Sequence, residues 1–376
     1  APSPRRRGAC PRPATAAALA AWLALVFVPG AGEARAARTV TDLLDRTVTV
    51  PAHPERLVAI GPGALRLVTY MGLAGALTGI ERIEHRAPDT RPYRIALGSA
   101  AEDLPVVGEG GPGRLPDAER LLAAAPDVVV SSFIDASQLA LLEQRTGIPA
   151  IALSYGATYG GPGDSDRLGA LRASLHLLGE VFGREARAAE LAAGMNRLEA
   201  ELEAVVTEAD APSVYVGGLG YKGGHGLTST EGGFLPFALL GLENAVLPAG
   251  TVGHRFVQLE ALVAANPDWL FLDVSGRPLI LEELARHRGV LGLLGALQAG
   301  RVRWLDPANA YNTNVANAFV NAWRVAAALE PGGGISPAQR ARDIYALFLG
   351  PAAVPAVMAR HHGAGAETLP VRAGGR

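Results

Sequence analysis

The sequence has a single cysteine, at position 10. Everything after it must fold without disulfides, thiolate catalysis or cysteine-bound metal. Charge is sparse as well: 19% of residues are charged and the formal net charge is −2. No broad basic field exists to attract nucleic acid, so no nucleic-acid partner is expected. Beyond the amino-terminal segment no apolar run approaches the length of a membrane span. Catalytic signatures are missing too. No Gly-x-Ser-x-Gly elbow occurs, and the order Gly-x-x-x-x-Gly-Lys is absent. No histidines stand in a His-x-x-x-His or His-x-His array on a plausible site element. Gly218, Gly220 and Gly223 satisfy a dinucleotide-turn order, but more glycine follows where the helix should begin. With no nucleophile beside an obvious base, the chain is not read as an enzyme.

What is present is a globular composition, 49% hydrophobic over 376 residues, enough for two domains. The amino terminus is a case apart. Arg5, Arg6 and Arg7 precede an apolar stretch from Ala14 to Val28, ended by Pro29 and Gly30. The small-residue pattern Ala34-Arg35-Ala36 follows. In this order the parts read as a secretory signal over residues 1–36, and a periplasmic protein. Cys10 precedes the apolar core, so it does not look like a lipid-attachment cysteine.

Short apolar runs at Val48–Val50, Leu57–Ile60, Val128–Val130 and Ala150–Leu153 read as buried strands alternating with helical patterns. Such alternation implies parallel βα units. Leu168, Leu171, Leu175, Leu178 and Phe182 then mark one helix face, and Leu191, Met195, Leu198, Leu202 and Val205 a second. A helix over 184–210 would reach roughly 35–40 Å and could connect two domains as a stiff rod. Strand-like runs resume at Ser213–Val216, Trp269–Asp273 and Val302–Leu305. Thr228-Ser229-Thr230-Glu231 reads as a capping box opening a helix. The expected organisation is an α/β lobe over 37–165, a helical region over 166–210, a second α/β lobe over 211–350, and a disordered tail over 351–376.

One stretch occurs twice. Glu119-Arg-Leu-Leu-Ala-Ala-Ala-Pro-Asp-Val-Val-Val130 aligns with Glu260-Ala-Leu-Val-Ala-Ala-Asn-Pro-Asp-Trp-Leu-Phe271. Each copy reads as a short helix with an acid in its first turn, stopped before a proline and turned by Pro-Asp into a buried strand.

With these copies, His53-Pro-Glu-Arg-Leu-Val-Ala-Ile60 and Gly72-Leu-Ala-Gly-Ala-Leu-Thr-Gly79 in this order, the chain resembles the periplasmic binding proteins of iron–siderophore, haem and cobalamin ABC importers. The resemblance runs from about Val40 to Leu349. It implies two Rossmann-like lobes joined by a single long α-helix, with the ligand in the cleft between them. It also implies a monomer that hands its ligand to the permease, and a docking role for Glu119 and Glu260, one at the tip of each lobe, against permease arginines.

Ligands of open α/β lobes meet the loops at the carboxyl ends of strands. Those loops nominate Ser132 and Phe133, Tyr155 and Tyr159, Tyr221, Lys222 and His225, and Tyr311 and Asn312. Arg91, Tyr93 and Arg94 form a further cluster. Tyrosines and cations converging on one cleft suit an anionic chelate, such as a ferric siderophore, haem or a corrinoid. An oxyanion such as molybdate is the competing ligand, and a ligand sensor without transport the competing role. No cofactor and no dedicated metal site are expected.

Overall fold

The computed structural model describes residues 36–154, 168–205 and 211–361. Tyr155, Tyr159 and all but the last residue of the expected signal lie outside them.

A hairpin of β1 (Ala37–Thr41) and β2 (Thr47–Pro51) leads into the first sheet. That sheet comprises β3 (Leu57–Ile60), β4 (Leu77–Glu81), β5 (Val106–Gly108), β6 (Val128–Ser132) and β7 (Ala150–Leu153). The strands are parallel, in the order β5-β4-β3-β6-β7. The second lobe opens with β8 (Val214–Gly217), followed by a hairpin of β9 (Ser229–Gly232) and β10 (Gly253–Phe256). β11 (Trp269–Asp273) and β12 (Val302–Leu305) join β8 in a parallel sheet of order β12-β11-β8. The chain is thus an α/β protein with two parallel sheets.

Both faces of each sheet are covered, which is why the strands are continuous apolar runs. Side chains alternate between two cores. Leu57, Ala59, Val128 and Val130 face one, while Val58, Ile60 and Val129 face the other. In the second sheet Val214, Val216 and Phe271 share the first of these cores, whereas Tyr215, Leu270 and Leu272 face a third. One core is therefore common to both lobes.

Long helices carry that shared core across. The helix Gly169–Phe182 buries Leu171, Leu175 and Leu178, and the 19-residue helix Glu185–Glu203 buries Leu191, Met195, Leu198 and Leu202. At 1.5 Å per residue the latter spans about 28 Å. It packs against Gly169–Phe182, Val315–Leu329 and Pro337–Leu349. Each fully buried leucine contributes about 1.5–3 kcal/mol, so this seam resists separation of the lobes.

Two expectations need correction. Ser229–Gly232 is a strand, not a helix start. Its side chains bond elsewhere: Ser229 Oγ donates to the Leu219 carbonyl at 2.6 Å and Thr230 Oγ1 to the Val216 carbonyl at 2.6 Å. Pairing with β10 outweighs the local capping preference, because helix signals are weak against tertiary partners. The segment from 351 is also ordered at first. Pro351–Ala353 is a 3₁₀ turn and Val354–His361 an α-helix, with Val357 and His361 buried. Its Ala- and Pro-rich composition hides a short amphipathic face.

Candidate functional site

The two copies of the repeated stretch fold alike. Ala118–Ala124 and Leu259–Ala265 are helices with Glu119 and Glu260 exposed in their first turns. Each helix ends on a residue in the left-handed region, Ala125 at φ 47° and Asn266 at φ 42°. The Pro-Asp aspartates then pin the neighbouring strand. Asp127 Oδ2 accepts from the amides of Glu55 and Arg56, at 2.9 and 3.0 Å, ahead of β3. Asp268 Oδ2 accepts from the Ser213 amide and hydroxyl, at 3.0 and 2.7 Å, ahead of β8. These bonds hold the Asp268 carboxyl below its usual range.

The carboxyl ends of the strands face one another across a cleft. On the first lobe its edge is Gly61 after β3, Glu81 at the end of β4, Gly110–Gly111 after β5 and Phe133 after β6. Gly61 sits at φ 84°, and a Cβ there would lie 1.9 Å from the Ser132 carbonyl oxygen, so no other residue fits. On the second lobe the loop after β12 supplies Asn309, Tyr311 and Asn312. Phe133, Lys222, Tyr311 and Asn312 all have positive φ, at 56°, 55°, 55° and 82°. Non-glycine backbone of this kind concentrates where function holds it.

Bonds cross the cleft directly. Tyr311 donates its hydroxyl proton to Glu81 Oε2 at 2.8 Å and accepts from the Gly111 amide at 2.7 Å. Asn314 Nδ2 donates to the Thr90 carbonyl at 2.9 Å. Glu81 is buried, and burial pushes its carboxyl up to about 8 against the opposing hydrogen bond from Tyr311. Burial likewise pushes the Tyr311 hydroxyl upward.

A wall of rings stands where the loop after β8 meets the β9–β10 hairpin. Tyr221 stacks on His254 with centroids 4.2 Å apart, and His225 meets the edge of Phe256 at 4.9 Å. Lys222, the only lysine in the sequence, lies 5.3 Å over the Tyr221 ring. Tyr221 and Phe256 are exposed. Gly220 at the start of this loop packs close to the Asn309 carbonyl, so the wall adjoins the cleft loop of β12.

Residues 78–308, more than half of the chain, match the periplasmic binding protein family. The chain belongs to that family. Its members bind solutes in the periplasm, and solute binding is the function of this one. Several solved structures share the fold. The molybdate periplasmic binding protein MolA of Haemophilus influenzae, bound to molybdate, is 21% identical with a TM-score of 0.64, covering 83% of this chain and 98% of its own. CeuE of Helicobacter pylori, with Ni(II) bound, is 14% identical at 0.62, covering 85% and 98%. The periplasmic haem-binding protein HutB of Vibrio cholerae is 18% identical at 0.53, covering 73% and 99%. No curated protein matches.

For this periplasmic binding protein, the nominated residues divide into two groups. Phe133 follows β6, Tyr221, Lys222 and His225 follow β8, and Tyr311 and Asn312 follow β12, each on a loop at the carboxyl end of its strand. Tyr93 and Arg94 are instead buried inside the first lobe. Tyr93 donates to Glu84 Oε2 at 2.9 Å, and Arg94 reaches the Glu84 carbonyl at 2.8 Å and Glu102 Oε1 at 3.1 Å. Arg91 is buried beside them, with Nη1 3.3 Å from Glu84 Oε2. The cations thus serve a buried carboxylate, because an unpaired Glu84 inside the lobe would be costly. Ser132 is buried too, its hydroxyl donating to the Pro62 carbonyl at 2.7 Å. Glu81, Arg66, His254 and Phe256 escaped the sequence reading. Glu81 ends a strand, a position that sequence could have flagged; the others are brought in by tertiary packing.

Proposed function

We propose that this protein captures a metal chelate between its lobes and delivers it to the membrane permease of an ABC importer. A ferric siderophore, haem or a corrinoid is the ligand class. The observation that carries the delivery role is the duplicated tip: Glu119 and Glu260 are exposed at the same point of two equivalent helices. Two separated carboxylates define an orientation against a partner that one could not. Such exposed charges register and steer more than they add affinity.

The ring wall supports an organic chelate over a bare oxyanion such as molybdate. Exposed Tyr221 and Phe256 offer aromatic area to a ring system or ligand shell, and a small oxyanion needs only convergent donors. Among the described residues no three His, Cys, Asp or Glu side chains gather to hold a bare ion, which favours metal already wrapped in a chelator. No helix among them is long and apolar enough to cross a membrane. Residues 1–36 act in this reading as a cleaved export signal.

Two measurements test the proposal. Native mass spectrometry and absorption spectra of protein from its own host should show a bound chelate. Charge reversal at both Glu119 and Glu260 should abolish uptake while leaving ligand affinity in solution unchanged. Normal uptake by the double variant defeats the docking assignment.

A further inference from the structure

Eight residues other than glycine have positive φ among the described residues, and five of them are alanine, aspartate or asparagine. Asp45 turns the β1–β2 hairpin, Ala87 precedes a 3₁₀ turn, and Ala125 and Asn266 close short helices. The other three carry large side chains: Phe133, Lys222 and Tyr311. All three follow strands of the parallel sheets, on loops at the carboxyl ends. A bulky side chain on such backbone is an outlier, because its Cβ crowds the following carbonyl oxygen. Tyr311 has a structural reason for it, since its hydroxyl bonds Glu81 and the Gly111 amide. Phe133 and Lys222 are repaid less by packing: Phe133 leaves 43% of its surface exposed, and Lys222 is exposed too. Glycine would serve both turns better. β3 and β8 do leave the sheet edge through glycine, Gly61 at φ 84° and Gly218 at φ 78°, whereas β6 leaves through Phe133 at φ 56°.

The loops of Phe133 and Lys222 are linked through Tyr311. The Gly113 amide donates to the Phe133 carbonyl at 2.8 Å, and Gly111 of the same loop donates to the Tyr311 hydroxyl. Two residues before Tyr311, the Asn309 carbonyl packs against Gly220, where a Cβ would lie 3.3 Å from it. Tyr221 and Lys222 come next, with Lys222 Nζ 5.3 Å over the Tyr221 ring. Tyr221 stacks on His254, and exposed Phe256 meets His254 edge-on at 4.6 Å. Aromatic surface and the only lysine of the sequence thus gather where the two lobes touch. We propose that Phe133 and Lys222 are specificity-determining residues, kept on strained backbone for the ligand, and that the chelate they select is an anion with a flat aromatic surface. The proposal rests on the reading of this region as the solute site and narrows its ligand. Strain that packing does not repay concentrates at ligand clamps, at a cost in stability. A phenyl face suits an aromatic ring, and an ammonium is a point charge for an anionic oxygen. Two kinds of chelate carry both features: a ferric catecholate, with aromatic rings and net negative charge, and haem, with a flat macrocycle and carboxylates. A ferric hydroxamate of aliphatic groups carries neither.

The test titrates the purified full-length chain by calorimetry with three probes: ferric catecholate, haemin and ferric acetohydroxamate. One of the first two should bind and the third should not, and the one that binds identifies the source of the aromatic anion. Phe133→Leu, which keeps bulk without a π face, and Lys222→Gln should each weaken that binding about two- to tenfold. Lys222→Arg should restore most of the affinity, together with the salt dependence that Lys222→Gln loses. Strain is read separately by urea unfolding without ligand. Phe133→Gly should unfold at higher urea than Phe133→Ala, and Lys222→Gly at higher urea than Lys222→Ala, the reverse of the order at an ordinary site. Glycine variants no more stable than their alanine counterparts overturn the strain. Unchanged affinity in Phe133→Leu and Lys222→Gln overturns the selecting role. Binding of the hydroxamate as tightly as the aromatic anions, or of neither aromatic anion, overturns the ligand class. The import reading is tested by uptake in the Glu119 and Glu260 variants, so the two fail separately.

Discussion

Glu81 shows how a single residue can be legible in kind and illegible in role. A glutamate ending a strand in an open α/β lobe is a ready candidate for a cleft. Whether it is exposed, paired or protonated depends on Tyr311, 230 residues away. Its carboxyl has a solvated value of 4.5 and is raised to about 8 by burial. The folded protein therefore holds a proton that the unfolded chain has released. The stabilisation is complete below the unfolded value and is lost as pH rises through the folded one. Glu81→Gln should thus flatten the decline of stability between about pH 5 and pH 8, by at most about 1.4 kcal/mol per unit. Asp273, also buried and raised to about 6, keeps part of the slope in the variant. Urea denaturation across that range checks it; an unchanged slope means Glu81 does not carry the proton. The cluster at Arg91, Tyr93 and Arg94 teaches the opposite lesson. Cationic and aromatic residues in a loop-rich stretch look like a binding surface, yet Glu84 draws them inside.

Among elements, the helix Val354–His361 has the largest effect for its size. His361 Nε2 donates to the Asp89 carbonyl at 2.9 Å, and Asn317 Nδ2 approaches its Nδ1 at 3.4 Å. That pattern requires a neutral imidazole, consistent with burial lowering its tendency to protonate. Arg360 pairs with the Asp89 carboxylate at 2.7 Å. Asp89 belongs to the first lobe, so a helix that follows the second lobe in sequence is fastened to the first. A chain ending at Ala353 should lose about 2–4 kcal/mol, from Val357 burial and the His361 bonds together. Its urea midpoint measures this; an unshifted midpoint would show that the helix is ornamental. The helix Glu185–Glu203 makes a related point. Its length suggests a free-standing connector, but its buried face belongs to the core shared by both lobes. Apolar spacing reveals that a face is buried without revealing what buries it.

At the scale of the whole molecule, a shared core and bonds between the lobes hold the two lobes together, and Glu119 and Glu260 stand exposed on the two equivalent helices. If Glu119 and Glu260 dock the permease as proposed, each single charge reversal should weaken uptake partially. The loss should shrink as salt is raised, since exposed pairs are screened beyond about 8–10 Å at physiological ionic strength. Uptake measured for both single variants at two ionic strengths checks this; a defect confined to one tip would mean that only one lobe engages.

By itself the sequence determined the α/β class, most of the central strands, the main helices and the duplicated helix–turn–strand unit. These depend on neighbours a few positions apart: apolar period, proline, and an acid in a first turn. The capping-like Thr228–Glu231 stretch failed because a strand partner some twenty residues on, His254 and its neighbours, outcompeted the local signal. Only the tertiary structure decided which polar groups face the cleft. Arg66 meets Asn314 across 248 residues, and Tyr311 meets Glu81 across 230. Burial and partnership are properties of three-dimensional surroundings, and a side chain's chemistry is the same in the sequence whichever surroundings it finds.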